Sequence, residues 1–184
     1  PSGINIEGEL MNPVEEKESP VQKYGSDQDT DYFDCGEDSI NSFLKKNAVV
    51  NQKRGVSQIF CLRENVDGVG KPVIGYYTLS AAAIPSSGVD REIIKGVPLG
   101  YDAPVILLGR IGIDKRHQGK GHGEFLLMDA LERAMNASND LGVVGVVLDA
   151  LNKDVASWYQ SYGFITLDES KMFIPMKAIK ALFR

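Results

Sequence analysis

Residues 19–184 predict one α/β domain, a mixed central sheet of about six to seven strands with helices on both faces. Three observations carry that reading. Residues 104–113 and 143–149 are strongly apolar runs of the length expected for buried central strands. Between them, Leu127, Met128, Leu131, Ala134 and Met135 fall on one helical face, with Asp129, Glu132 and Arg133 opposite. The 184 residues are 43% apolar and 24% charged, ordinary globular composition with room for one sizeable core. Collagen, coiled coil and wholesale disorder are thereby excluded, and no apolar run approaches the roughly 18 residues of a membrane helix.

The elements follow in order. Residues 1–18 combine Gly3, Gly8, Pro13 and the run Glu15-Glu16-Lys17-Glu18 without any period, so they read as an acidic, poorly ordered extension before the domain of residues 19–184. A short strand is expected over residues 20–24, then a polar stretch to Phe33-Asp34-Cys35-Gly36. Asp38 or Ser39 suits an N-cap for a helix that carries Ile40, Phe43 and Leu44 on one face, breaks near Asn51 and stops at Gly55. Residues 57–63 alternate as a strand, Gly68 and Gly70 mark a turn, and residues 71–83 form the next strand. A loop with a short helix over residues 91–95 leads to the apolar strand 104–113. A helix over 121–138, a strand over 143–149 and a short helix over 152–162 come next, and two strands, 164–166 and 171–176, close the chain.

Charge is unevenly distributed. The chain totals −5, but residues 1–40 hold eleven acids against Lys17 and Lys23, leaving the remainder at +4. Residues 39–63 contain Lys45, Lys46, Lys53, Arg54 and Arg63 and no acid. Such a run is either a solvated helix face or a surface for a polyanion, because local charge steers association more than net charge does. Cys35 and Cys61 are too few for a disulfide framework and lack metal-ligand spacing. With no secretory leader in the sequence, reduced thiols in a cytoplasm are the simplest expectation, without a membrane or a metal.

The chemistry concentrates in residues 107–123. A buried strand ending Gly109-Arg110-Ile111-Gly112-Ile113-Asp114 runs into Arg116-His117-Gln118-Gly119-Lys120-Gly121-His122-Gly123 and then into a helix. Three glycines in five positions at a helix N-terminus gather main-chain N–H groups that have no intrahelical acceptor, so a phosphate or pyrophosphate is the expected guest. A Walker loop fails, since Asp114 stands where its first Gly belongs, and the dinucleotide fingerprint fails on glycine spacing. The pattern Arg116-x-x-Gly119-x-Gly121 resembles the pyrophosphate motif of the GNAT superfamily of N-acetyltransferases, which hold acetyl-CoA. A second segment agrees: the strand 143–149, Asn152, and Trp158-Tyr159-x-x-Tyr162-Gly163-Phe164 look like the closing GNAT motif. Val155, Trp158, Tyr159 and Tyr162 also share one helical stripe, which by itself reads as core.

Phe33-Asp34-Cys35-Gly36, Gly75-Tyr76-Tyr77-Thr78-Leu79-Ser80 and the ending Met172-Phe173-Ile174-Pro175-Met176-Lys177 narrow the resemblance to the GNAT toxins of bacterial toxin–antitoxin pairs. The likeness spans roughly residues 19–180. It implies a GNAT fold whose sheet splays at the acetyl-CoA site. It also implies acetylation of the α-amine of aminoacyl-tRNA, a ribbon-helix-helix antitoxin as partner, and a homodimer. Gly112 departs from the Ala or Val the resemblance leads one to expect, which predicts a slightly looser strand.

Carried onto this chain, the resemblance assigns Ile111, Gly112 and Ile113 to the pantetheine arm. Arg116, Gln118, Gly119, Lys120, Gly121, His122 and Gly123 go to the pyrophosphate. Asn152 either bonds the arm or caps the short helix. Tyr159, with an ordinary pKa of about 10, suits protonation of the departing thiolate. The α-amine, at about 7.7–8.0 in peptides, needs no strong base. Cys35 and Cys61 lie outside both motifs and read as structural thiols. Lys45, Lys46, Lys53 and Arg54 are the expected tRNA contacts. The alternatives are an acetyltransferase of a small amine or protein, with acids around the acceptor site, a non-catalytic acetyl-CoA-binding repressor component, and an inactive scaffold.

Overall fold

Alternation along the strand Gln58–Arg63 sorts its side chains onto two faces, Ile59 and Cys61 on one, Phe60 and Leu62 on the other, all buried. Both sheet faces must therefore be covered. The computed structural model describes residues 19–25, 28–64, 71–85, 87 and 90–184; the extension over 1–18 and the turn at Gly68 and Gly70 lie outside the described residues. The strands in chain order are β1 (Val21–Lys23), β2 (Gln28–Asp29), β3 (Gln58–Arg63) and β4 (Lys71–Ile84). β5 (Ala103–Ile113), β6 (Gly145–Asp149), β7 (Ile165–Thr166) and β8 (Lys171–Pro175) follow. The sheet order is β1-β3-β4-β5-β6-β8-β7, with the two-residue β2 added beside β4. β5 and β6 run parallel, as does β2 beside β4; the other pairs are antiparallel.

One face is covered by α3 (His122–Ala137), whose Leu126, Leu127, Ala130, Leu131 and Ala134 are buried, and by α5 (Met176–Leu182). The opposite face is covered by α1 (Asp38–Ser42), a π-helical stretch (Phe43–Asn47) and α2 (Ala48–Lys53). Ile40, Phe43, Leu44 and Ala48 pack there on Ile59, Cys61 and Tyr76, and the Tyr76 hydroxyl donates to Ile40 O at 2.8 Å. A further helix, α4 (Lys153–Gln160), packs Tyr159 into the same core as α3 and α5.

Several expectations change. The first helix starts after Glu37, which makes no side-chain cap, and its irregularity is the π-helical stretch rather than a break near Asn51. Asp34 and Asn41 organise that start instead: Asp34 Oδ1 accepts from Gly36 N and Asn41 Nδ2, and Asn41 Oδ1 accepts from Cys35 N. Residues 91–96 form successive turns, not a helix; Asp90 Oδ1 takes the Glu92 N–H and isolates the first turn from any helical ladder. The chain ends in a helix, because the apolar Met176 and Ile179 of α5 reach back under the sheet.

Candidate active site

The parallel pairing of β5 with β6 covers only Ile106↔Val146 and Leu107↔Val147. Beyond Leu107, β5 runs six more residues without β6. At the same place the β4–β5 register shifts, with Thr78 opposite Arg110 and Leu79 opposite Leu108, so Gly109 is the bulged residue. A bulge bends its strand, and β5 here bends away from β6. Asp114 N donates to Ile74 O at 2.9 Å, which fixes the antiparallel alternation. Gly112 and Asp114 turn their N–H groups to β4, while those of Ile111 and Ile113 face the wedge between the parting strands.

That wedge is a cavity of about 540 Å³. β5 contributes Leu107 to Ile113, the turn before α1 and its first residues contribute Cys35, Glu37, Ser39 and Ile40, and Gln118 and Gly123 close one end. Leu148, Asp149, Leu151, Val155, Trp158 and Tyr159 form the opposite wall. A Cβ at Gly112 would approach Ile40 Cγ2 to 2.9 Å and Cys35 Sγ to 3.4 Å. Gly112 is thus the residue that lets α1 lie close on β5, rather than a loosening of the strand.

The Gly-rich loop is held from below. Asp114 is 1% exposed, and its carboxylate accepts from Arg116 N, Nε and Nη2 and from Asp34 N. Those bonds, the Arg116 guanidinium first, bring its carboxyl from the ordinary 3.8 down to about 2. Lys115 Nζ pairs with Asp34 at 3.0 Å, and Gln118 Nε2 donates to both Cys35 O and Ile113 O, at 3.0 and 2.9 Å. The loop and the start of α1 are one stapled unit. Gly119 and Gly121 have φ of +72° and +82°, where any side chain is strained, and Gly121 is the N-cap of the 16-residue α3.

The expected site residues therefore divide. Ile111, Gly112, Ile113, Gln118, Gly123 and Tyr159 line the wedge. Gly119, Lys120, Gly121 and His122 form the rim before α3; Lys120 Nζ is bound to Arg116 O, and the His117 and His122 rings lie 6.3 Å apart. Arg116, expected at the pyrophosphate, has its guanidinium bound to Asp114 and Tyr32 O. Asn152 is resolved as the N-cap of α4, its Oδ1 accepting from Val155 N at 2.9 Å. Among the described residues no group of three or more His, Cys, Asp or Glu side chains gathers for a metal.

Tyr159 is the buried member of its helical stripe, at 4% exposure, with Trp158 and Tyr162 only half-buried. Its ring packs on Trp158 and Phe164, 4.9 and 5.4 Å between centroids. The hydroxyl has no hydrogen-bond partner among the described residues, yet is not among the sealed, unsatisfied polar atoms. Burial pushes its pKa above the ordinary 10, so it stays protonated at neutral pH.

Cys35 and Arg110 line the wedge although sequence reasoning passed over both as site residues. Cys35 Sγ lies 3.8 Å from Glu37 O, and burial is the first cause raising its pKa. The signal for Arg110 was present: it is the one charge within the apolar run of β5. Lys45, Lys46, Lys53 and Arg54 are all exposed on the π-helical stretch and the end of α2.

The profile of the acetyltransferase (GNAT) family matches residues 26–164. The chain belongs to the GNAT family. Among curated relatives, this GNAT chain is 28% identical over 166 residues to the tRNA-acetylating toxin of Mycobacterium tuberculosis, covering 89% of this chain and 96% of the relative. The solved structure of AtaT complexed with acetyl-methionyl-tRNAfMet superposes at a TM-score of 0.80 with 30% identity, over 89% of this chain and 98% of AtaT. A tyrosine-to-phenylalanine mutant of the toxin AtaT, bound to acetyl-CoA and the C-terminus of the antitoxin AtaR, superposes at 0.74 with 30% identity, over 89% and 96% of the two chains.

Proposed function

We propose that this GNAT protein is an acetyl-CoA-dependent toxin that acetylates the α-amine of aminoacyl-tRNA and thereby blocks translation. The observation that carries the chemistry is the wedge: a strand edge with free N–H groups, a Gly-rich helix start at one end, and Tyr159 on the facing wall. The likeness to AtaT and to the Mycobacterium tuberculosis toxin, over nearly the whole of both proteins, supports aminoacyl-tRNA as the acceptor.

The thioester of acetyl-CoA supplies the activated acetyl group. Ile111 and Ile113 are placed to bond the pantetheine arm as an added strand, one N–H polarising the thioester carbonyl. Gln118 to Gly123 and the N-terminus of α3 suit the pyrophosphate. The neutral amine attacks the carbonyl carbon, the C–N bond forms and the C–S bond breaks. The nitrogen releases one proton to water, the sulfur gains one from Tyr159, and Tyr159 recovers one from water. A thiol of ordinary pKa near 8.5 is a stronger acid than this tyrosine, so complete transfer is uphill by at least 2 kcal/mol or so. The hydroxyl therefore acts as a general acid in concert with C–S cleavage, its proton passing as charge develops on sulfur.

Glu37 and Asp149 also border the wedge, the pattern a small-amine enzyme would use, but Lys171 holds Asp149 at 3.0 Å and Arg110 adds a cation on the β5 side. The partners we infer are an antitoxin of ribbon-helix-helix type and a second copy of the chain, and a charged-tRNA substrate sets the activity in the cytoplasm. No helix among the described residues is long and apolar enough to cross a membrane. Incubation with labelled acetyl-CoA and total charged tRNA tests the acceptor: label is expected on the amino acid ester-linked to tRNA. Label on free amines or proteins, with none on charged tRNA, overturns the assignment.

A further inference from the structure

A second cavity of about 390 Å³ adjoins the wedge and shares Ser39 and Arg110 with it. Its other walls are Ser42, Phe43, Asn47 and Asn51. We propose that this pocket seats the ribose and 5′-phosphate of the terminal nucleotide of the aminoacyl-tRNA, with Arg110 holding the phosphate. The assignment rests on the aminoacyl-tRNA reading above and specifies where the acceptor end lies.

The wall chemistry is the first support. Two hydroxyls, two carboxamides and one guanidinium face this cavity, without a carboxylate. Hydroxyls and carboxamides both donate and accept, as ribose hydroxyls require, and a wall with no anion is a poor seat for a cationic group. The second support is the state of Arg110. Its guanidinium carbon lies 4.1 Å from the Phe43 ring centroid, and it makes no hydrogen bond or ion pair with a described residue. Arg116 and Arg133, by contrast, are bound to Asp114 and Asp129. A guanidinium fixed by stacking, with its donors uncommitted, suits bidentate contact to a phosphate.

The third support is local backbone. Ala48 N–H donates to Phe43 O, five residues back, and this widened turn carries Phe43 and Asn47 on the pocket wall. Asn51 Nδ2 donates to Asn47 O at 3.0 Å and ties the next turn to it. Helices hold such π turns where a site needs them more than the regular ladder does. Connectivity agrees as well. The amino acid is esterified to the terminal ribose, so an amine that reaches the wedge leaves its nucleotide in an adjoining space. The chain of phosphates then continues past the exposed Lys45 and Lys46 of the same stretch.

The test compares 3′-O-aminoacyl-adenosine with and without a 5′-phosphate, using the intact protein and acetyl-CoA. The wild type is expected to favour the phosphorylated ester by roughly tenfold or more in kcat/KM, carried in KM, the gain of a charge-assisted contact. In Arg110→Gln that ratio should fall to within about twofold of one, and Arg110→Lys should restore part of it by returning charge without the fork. An unaltered ratio in Arg110→Gln overturns the assignment. If the wild type acetylates both esters equally well, the pocket assignment falls while the tRNA reading stands. If it acetylates neither ester nor charged tRNA, the tRNA reading falls and takes the pocket with it.

Discussion

Tyr159 packs its ring in the core and borders the wedge with the same side chain. Its ring fills a gap between Trp158 and Phe164, and the same burial that fixes the ring keeps the hydroxyl protonated beside the wedge. Tyr159→Phe retains the ring, so thermal stability should change little. A donor to the leaving sulfur typically contributes about 10²–10⁴-fold, so kcat should fall by that order while acetyl-CoA affinity, read by calorimetric titration, holds. Turnover within about twofold of wild type would return Tyr159 to the core alone. Its place at the wedge was legible because an aromatic stripe ending in Gly163-Phe164 follows a buried strand. Its burial relative to Trp158 was not, since all three stripe members share one helical face and only the neighbouring strands decide which ring lies deepest. The pairing of Arg116 was hidden for a related reason. The motif shows a cation near phosphate, but nothing local reveals that Asp114, two residues earlier, is buried and already holds it.

At the scale of elements, the decisive event is the parting of β5 from β6, and half of it was legible. Apolar runs identify both strands, and the Gly-rich loop identifies the helix that follows. The bulge at Gly109 was not legible, because it arises from the register with β4, a partner thirty residues away in sequence. The α1 to α2 region escaped for another reason: its apolar spacing fits an ordinary helix, and the π-helical stretch is set by how Phe43, Leu44 and Ala48 meet the sheet. What ties these elements together is the Asp114 clamp, which joins the turn before α1 to the loop before α3. Its carboxyl has a folded-state pKa of about 2 against an ordinary 3.8. A depressed carboxyl stabilises the fold fully above its unfolded value and loses that contribution as pH falls through its folded value. Urea midpoints should therefore fall between about pH 4 and pH 2. Asp114→Asn should be less stable at neutral pH and show a flatter profile across that window. An unchanged profile in the variant would assign the acid sensitivity to other carboxylates.

Across the whole molecule, a chain of net charge −5 must draw in a polyanion. The arrangement we propose for this is segregation: bases gather along the π-helical stretch and α2, which follow directly on α1, whose Ser39 and Ile40 border the wedge. Lys45 and Lys46 sit on the stretch that walls the second cavity, whereas Lys53 and Arg54 lie at the far end of α2, past Asn51. All four are exposed and none is paired with a described carboxylate, so each can neutralise a phosphate. Every such contact releases condensed counterions, and affinity for tRNA must then fall steeply with salt. Replacing Lys53 and Arg54 by Ala should weaken binding of all tRNAs alike and flatten the slope of log K against log salt by about one to two units. Neither residue touches the wedge, so acetyl-CoA binding by the same variant should equal wild type, which separates a lost contact from a lost fold. A slope identical to wild type would make these two bases a solvated helix end and confine the RNA path to Arg110, Lys45 and Lys46.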